Sequence, residues 1–277
     1  MIPLTYLLRF LEEDAPFGDV TSEAVIPRDL EAEAVIIAKQ DGIIAGLEEA
    51  KALFEHFGVK VELKAKDGNE VKKGDVIIEL RGNARKILFV ERTALNIMGR
   101  MSGIATQVRR LTEKVRAINP NVKVAGTRKT LLKPLDKKAI LLGGGEMHRF
   151  SLSDAILIKD NHLALVPLEE AIKRAKAFSL YKVVEVEVES LEDALKAANA
   201  GADVIMLDNM TPEQIEEVLE ALKREGLRER VKIEVSGGIT EENIQNYAKL
   251  DIDVISLGAL THSVKNFDVS LEITGRL

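Results

Sequence analysis

A chain of 277 residues with 39 Lys and Arg against 45 Asp and Glu, formal net charge -6, is long enough for one large or two modest domains with a real core. That acidic balance excludes broad nucleic-acid binding, which must neutralise phosphates over an extended surface, and no apolar run reaches the length of a bilayer span. The absence of Cys excludes disulfides, thiolate metal sites and cysteine nucleophiles, while the absence of Trp with abundant Lys and Glu fits a thermophile's protein. Met1-Ile2-Pro3-Leu4-Thr5 lacks the cationic and apolar segments of a secretory leader, so a cytoplasmic protein is expected.

In chain order, residues 4–13 have the spacing of a short amphipathic helix, and the Pro- and Gly-containing stretch 14–27 predicts a structured loop. Strands are predicted at 32–38 and 59–65 with a helix over 47–57 between them; a turn-rich segment, 66–75, leads into a strand at 76–80. The spacing is helical from Asn83 to Ala117, with an expected break near Ser102-Gly103. That break sets the expected division into an N-terminal domain, 1–102, and a second domain, 103–265, with residues 266–277 able to pack back on the first.

After Asn119, short β-branched runs alternate with amphipathic helices. The strand candidates are 122–125, 155–158, 183–186, 204–207, 232–235 and 254–257, and the main helical stretches are 168–178, 191–200, 212–225 and 241–249. This alternation predicts parallel strands buried on both faces. Six strands are fewer than a complete barrel needs, so an open or incomplete α/β barrel is the first expectation and a doubly wound sheet the second.

The chemistry collects at the strand ends. Thr127-Arg128-Lys129 follows the first strand, Lys159 the second, Glu187 lies at the end of the third and Asp208 follows the fourth; Ser236-Gly237-Gly238 and Gly258 follow the last two. In α/β barrels these ends converge on one mouth, so the repeated placement predicts one site. Arg128, Lys129, His148, Arg149 and Lys159 are suited to carboxylates and phosphates, with the Arg fork favouring bidentate pairing. Ser236-Gly237-Gly238 before a helix expected near Glu241, with Gly258-Ala259, offers backbone N–H groups to a phosphate. Glu187 and Asp208 are hard oxygen ligands for Mg2+, directly or through water, or else partners for Lys159 or Lys129. Zinc-helix, nucleophile-elbow and Walker patterns are absent; His56 reads as helix surface and His162 as a residue that begins the following helix.

The chain resembles the quinolinate phosphoribosyltransferase family over essentially its whole length. The resemblance rests on Gly18-Asp19-Val20-Thr21, Glu91-Arg92-Thr93-Ala94-Leu95-Asn96, Ser102-Gly103-Ile104-Ala105-Thr106 and Gly126-Thr127-Arg128-Lys129-Thr130. It continues through Gly143-Gly144-Gly145 with His148-Arg149, Ile158-Lys159-Asp160-Asn161-His162, Glu185-Val186-Glu187, Leu207-Asp208-Asn209 and Ser236-Gly237-Gly238-Ile239. One segment departs from the family pattern: where Pro-Gly-Leu-Arg usually follows Thr-Arg-Lys-Thr, this chain has Leu131-Leu132-Lys133-Pro134-Leu135-Asp136.

The resemblance implies an N-terminal α/β sandwich, an open barrel, a homodimer with shared sites, and conversion of quinolinate and phosphoribosyl pyrophosphate to nicotinate mononucleotide, pyrophosphate and CO2. It implies that Arg92 comes from the neighbouring subunit to join Arg128, His148, Arg149 and Lys159 around the quinolinate carboxylates. Lys129, Lys159, Glu187, Asp208, Ser236, Gly237, Gly238 and Gly258 would then hold the phosphoribosyl group, its phosphates and Mg2+, with Thr127 also in contact with substrate and Lys129, Glu187 and Asp208 as the catalytic set. The alternatives are the molybdenum-transport-associated paralogue and a non-catalytic sensor of an anionic metabolite.

Overall fold

The computed structural model describes residues 2–277. Two compact units divide the chain: one from the N-terminal residues through Arg109 with Leu131–Gly144 and Val264–Leu277, the other from Arg110–Thr130 and Gly145–Ser263.

In the first unit, the strand Glu31–Ala38 lies between Val269–Arg276 and Val76–Asn83, and the last of these also pairs with Lys60–Leu63; all pairings are antiparallel. Period-two alternation turns Ala32, Ala34, Ile36 and Ala38 into the core. The helices Leu4–Asp14, Leu47–His56 and Lys133–Leu142 belong to this unit, as does most of the helix Ala84–Arg116. The expected loop over 14–27 contains a helix, Val20–Val25, because the Asp19 side chain accepts from the N–H groups of Thr21 and Ser22 at 3.0 and 3.1 Å.

The long helix runs through Ser102-Gly103 without the expected break. Ser102 Oγ bridges the N–H and C=O of Ala45, at 2.9 and 3.0 Å, and a Cβ at Gly103 would lie 2.2 Å from the carbonyl oxygen of Lys265. The small residues there serve close approach, not chain reversal. The divergent segment after Thr130 forms the helix Lys133–Leu142, whose fully buried Asp136 takes two 2.7 Å hydrogen bonds from Arg100. This bidentate pair compensates an otherwise costly buried carboxylate.

The second unit is a six-stranded parallel sheet: Lys123–Gly126, Ile156–Ile158, Val184–Val188, Val204–Asp208, Lys232–Ser236 and Val254–Leu257. Numbered along the chain, the strands lie in the order one, six, five, four, three, two. That is the cyclic order of a barrel left open between strands one and two. The helices Leu168–Phe178, Leu191–Asn199 and Pro212–Arg224 intervene between successive strands; the last starts with a capping box in which Thr211 and Gln214 satisfy each other's N–H groups.

Both faces of the sheet are covered, but only one is uniformly apolar. Val184, Val186 and Val188, Ile205 and Leu207, Ile233 and Val235, and Ile255 and Leu257 make one face, buried throughout. The alternate positions include Glu185, Glu187, Asp208, Glu234, Ser236 and Ser256. The expected apolar strand interior is corrected accordingly: one face is built for chemistry.

Candidate active site

The inward side chains converge on a cavity of about 320 Å3 at the C-terminal ends of the strands. Thr127, Arg128, Lys129, His148, Arg149, Lys159, Glu187, Asp208 and Ser236 line it together with Glu234 and Ser256. Register explains the convergence. Ser236 pairs with Asp208, and Glu187 pairs with Met206, two positions earlier on the same face, so residues predicted from separate strand ends lie side by side within one two-residue step.

His148 and Arg149 reach this layer by another route. Glu146 forms a parallel bridge to Ala125 on the open edge of strand one, donating to Val124 O at 2.8 Å and accepting from Gly126 N at 3.2 Å. Gly144, at φ 88°, permits the turn into this bridge after the helix Lys133–Leu142. His148 takes the left-handed conformation itself, at φ 54°, a position that costs a non-glycine residue free energy and is enriched at functional sites.

The cations face one another with few internal partners. Arg149 is pushed below its ordinary pKa by burial and by the Arg128 guanidinium, and Nε of Arg128 is buried without a hydrogen-bond partner. Two adjacent guanidiniums with spare donors call for an anion with more than one oxygen group. Lys159 Nζ donates to Glu187, and burial followed by the Glu187 carboxylate raises Asp208 above its ordinary pKa, against the opposing effects of Lys159 and Lys129.

The glycines meet the site differently. Gly237 (φ 82°) turns tightly over strand four, where a Cβ would lie 2.3 Å from Asn209 Oδ1; Asn209 in turn donates to Asp208 at 2.7 Å. Gly238 (φ 64°) faces open space, and a Cβ on Gly258 would meet Lys129 Cδ at 3.3 Å and the His262 ring at 3.0 Å. The helix expected near Glu241 starts only at Ile244, because Asn243 accepts from Thr240 N at 2.8 Å and donates to Gly238 O at 3.0 Å. This side-chain turn replaces the first helical turn. His162 begins the short helix Asp160–Leu163 by accepting from Lys159 N at 3.0 Å.

Arg92 does not line the cavity; it is exposed on the long helix of the first unit and pairs with no carboxylate in an ion pair among the described residues. Its charge does lower the pKa of Glu91, whose burial acts more strongly in the other direction. Sequence reasoning missed Glu185, Glu234 and Ser256. Their signal was the alternation in Val184-Glu185-Val186-Glu187-Val188 and in Lys232-Ile233-Glu234-Val235-Ser236, where polar residues repeat every second position in strands expected to be apolar on both faces.

Fold and site together define an α/β-barrel protein with a mouth at its strand C-termini lined by arginines and lysines. The chain matches the family descriptions "Quinolinate phosphoribosyl transferase, N-terminal domain" over residues 19–102 and "Quinolinate phosphoribosyl transferase, C-terminal domain" over residues 104–272, and it belongs to that family. It is 49% identical over 275 residues to the probable nicotinate-nucleotide pyrophosphorylase [carboxylating] of Methanocaldococcus jannaschii, covering 98% of this chain and 96% of that one. Identity to the nicotinate-nucleotide pyrophosphorylase [carboxylating] of Rattus norvegicus is 36%, covering 95% and 88%. The crystal structure of NadC from Streptococcus pyogenes superposes with a TM-score of 0.90 at 39% identity, over 98% of this chain and 96% of that one. No helix among the described residues is long and apolar enough to cross a membrane.

Proposed function

We infer that this chain transfers the phosphoribosyl group of phosphoribosyl pyrophosphate to quinolinate, releasing pyrophosphate and CO2 and forming nicotinate mononucleotide for NAD synthesis. The observation that carries this reading is the pairing of Arg128 and Arg149 in one cavity, with a donor of Arg128 unpartnered. Neither the molybdenum-associated paralogue nor a passive sensor is needed to account for it. The full-length relatives described above bear the name of the carboxylating enzyme.

Both substrates are anions that repel each other, so assembling them in a cationic cavity supplies proximity that solution cannot. Arg128, His148, Arg149 and Lys159 bind the two acceptor carboxylates and orient the pyridine nitrogen. Thr127, Lys129, Ser236, Gly237, Gly238 and Gly258 hold the phosphoribosyl group and its phosphates. Lys129 stabilises the charge that grows on the departing pyrophosphate. Attack by the ring nitrogen leaves a pyridinium whose positive nitrogen stabilises the electron pair left on C2 as its carboxylate departs as CO2; C2 then takes up a proton from water, so no side chain need act as a general base.

Glu187 and Asp208 suit Mg2+: they are hard oxygen donors at adjacent strand ends, and Asp208 is raised above its ordinary pKa first by burial and then by the Glu187 carboxylate beside it, a pairing that a cation would relieve. Bound there, Mg2+ would neutralise charge on the pyrophosphate leaving group. The working form in this reading is a cytoplasmic homodimer in which Arg92 of the partner subunit completes the acceptor site. The direct test is an assay for nicotinate mononucleotide and CO2 from quinolinate and phosphoribosyl pyrophosphate with Mg2+. Failure to form both products would overturn the assignment.

A further inference from the structure

At the floor of the cavity, toward the strand N-termini, lie Glu185 of strand three and Glu234 of strand five, the second of which lines the cavity itself. They are 4% and 3% exposed and come from strands separated only by strand four. Each stands two positions before a residue already placed in the site, Glu187 and Ser236, so both point inward at a greater depth. Between them and the mouth sits His148, whose Nε2 is 3.1 Å from Glu185 Oε2 and 3.4 Å from Glu234 Oε2.

We propose that Glu185 and Glu234 are positioning residues for acceptor binding: they hold Nε2 of His148 from inside the barrel, so that the other ring nitrogen is presented to a carboxylate of the substrate. This rests on the reading that His148 contacts quinolinate. Buried carboxylates are costly unless a cation or several donors compensate them. Here one imidazole nitrogen serves both, and the other oxygen of Glu234, Oε1, is buried with no hydrogen-bond partner. The pair is therefore not a self-satisfied structural network, and its shared partner is a residue that lines the substrate cavity. The left-handed backbone of His148 places the ring there at a conformational cost.

The two ring nitrogens of an imidazole point in widely divergent directions, so a ring anchored through Nε2 turns Nδ1 away from the glutamates. Nε2 is committed as a donor to carboxylate, and the negative charge of the two glutamates favours the imidazolium, in which Nδ1 also carries a hydrogen for the ligand. Arg128, Arg149 and Lys159 line the same cavity and disfavour that extra positive charge, while Glu187 and Asp208 favour it. On the far side, Lys123, Lys232, Asp154 and Asp253 line a recess of about 540 Å3 together with Glu185 and Glu234. Burial acts against the imidazolium, but the hydrogen bonds and charges of Glu185 and Glu234 outweigh it and raise His148 from 6.5 to about 10. Glu185, deeply buried beside Glu234, is itself raised.

The test uses the intact enzyme. In 15N spectra, with the His148 resonances identified by their loss in His148→Ala, both ring nitrogens should stay protonated from about pH 6 to 9 and should titrate near the ordinary value in the Glu185→Gln/Glu234→Gln double variant. Each single Gln variant should raise KM for quinolinate by about 10-fold or more, as expected on losing a charged hydrogen bond, and leave KM for phosphoribosyl pyrophosphate within about 2-fold. Glu185→Asp should recover part of the loss.

If His148 titrates near its ordinary value in the wild type, the proposal is overturned without reliance on any variant. Wild-type KM in the Gln variants, with a raised KM in His148→Ala, overturns it while leaving His148 at the acceptor. Wild-type KM in His148→Ala removes the reading beneath it. A divalent ion retained stoichiometrically through dialysis and lost in Glu234→Gln also overturns it, because the three residues would then be a metal site.

Discussion

Lys159, the residue that follows the second barrel strand, donates a hydrogen bond from Nζ to the carboxylate of Glu187 on the third. The two close one side of the cavity, with Lys129 and Asp208 also lining it, so removing a charge disturbs the field on the substrates more than it disturbs the fold. Lys129→Ala and Glu187→Ala should each lower kcat/KM on the order of 10²-fold or more, the scale seen when a group that stabilises developing charge is lost. Their melting temperatures should stay close to wild type, since Lys129 is exposed and Glu187 only partly buried. Near-normal turnover by either variant would remove that residue from the catalytic set.

Substrate choice follows from Arg128 and Arg149. Their mutual repulsion is relieved by an acceptor with two carboxylates and only half relieved by nicotinate, which leaves buried donors unpaired at a cost of about 2 kcal/mol or more. Steady-state assays should show use of quinolinate and little or no use of nicotinate. Comparable kcat/KM for the two acids would refute the dicarboxylate site.

These strand ends were legible in the sequence because charged residues and glycines interrupt β-branched runs at the same relative position, as at Ile158-Lys159 and Leu207-Asp208. Glu185 and Glu234 were hidden because they lie within strands, where only register shows that they face inward beside one another. Local competition hid other features. Asp19 caps a helix within a Pro- and Gly-containing stretch, and Asn243 delays a helix by bonding to the backbone of the turn before it. Long-range contacts could not be read at all: nothing local places Asp136 against Arg100, or tells that Gly103 is small because the backbone of Lys265 passes over it.

The turn at Gly237 gives a sharper test of the phosphate grip than its neighbour. Gly237→Ala would force a Cβ into Asn209, at a left-handed backbone position, and so disturb the residue bonded to Asp208. Gly238→Ala shares the left-handed strain but meets no atom within 4 Å. Gly237→Ala should therefore lower the melting temperature more than Gly238→Ala, by an added cost of about 1–3 kcal/mol, and raise KM for phosphoribosyl pyrophosphate. Equal melting temperatures for the two variants would show that the Asn209 contact is not rigid.

Arg92 is exposed, lies outside the cavity and makes no ion pair with a carboxylate among the described residues. An exposed arginine is free to meet an anionic ligand held in another subunit, which is the role the proposed function gives it. Arg92→Ala and Lys159→Ala should each be inactive alone. After subunit exchange at equal amounts, half of the dimers are mixed and one of the two sites in each receives an intact Arg92 and an intact Lys159, so roughly a quarter of wild-type activity should return. Exchange should be verified independently, for example by native mass spectrometry of differently tagged subunits. If mixed dimers form and remain as inactive as either parent, Arg92 does not act across the interface.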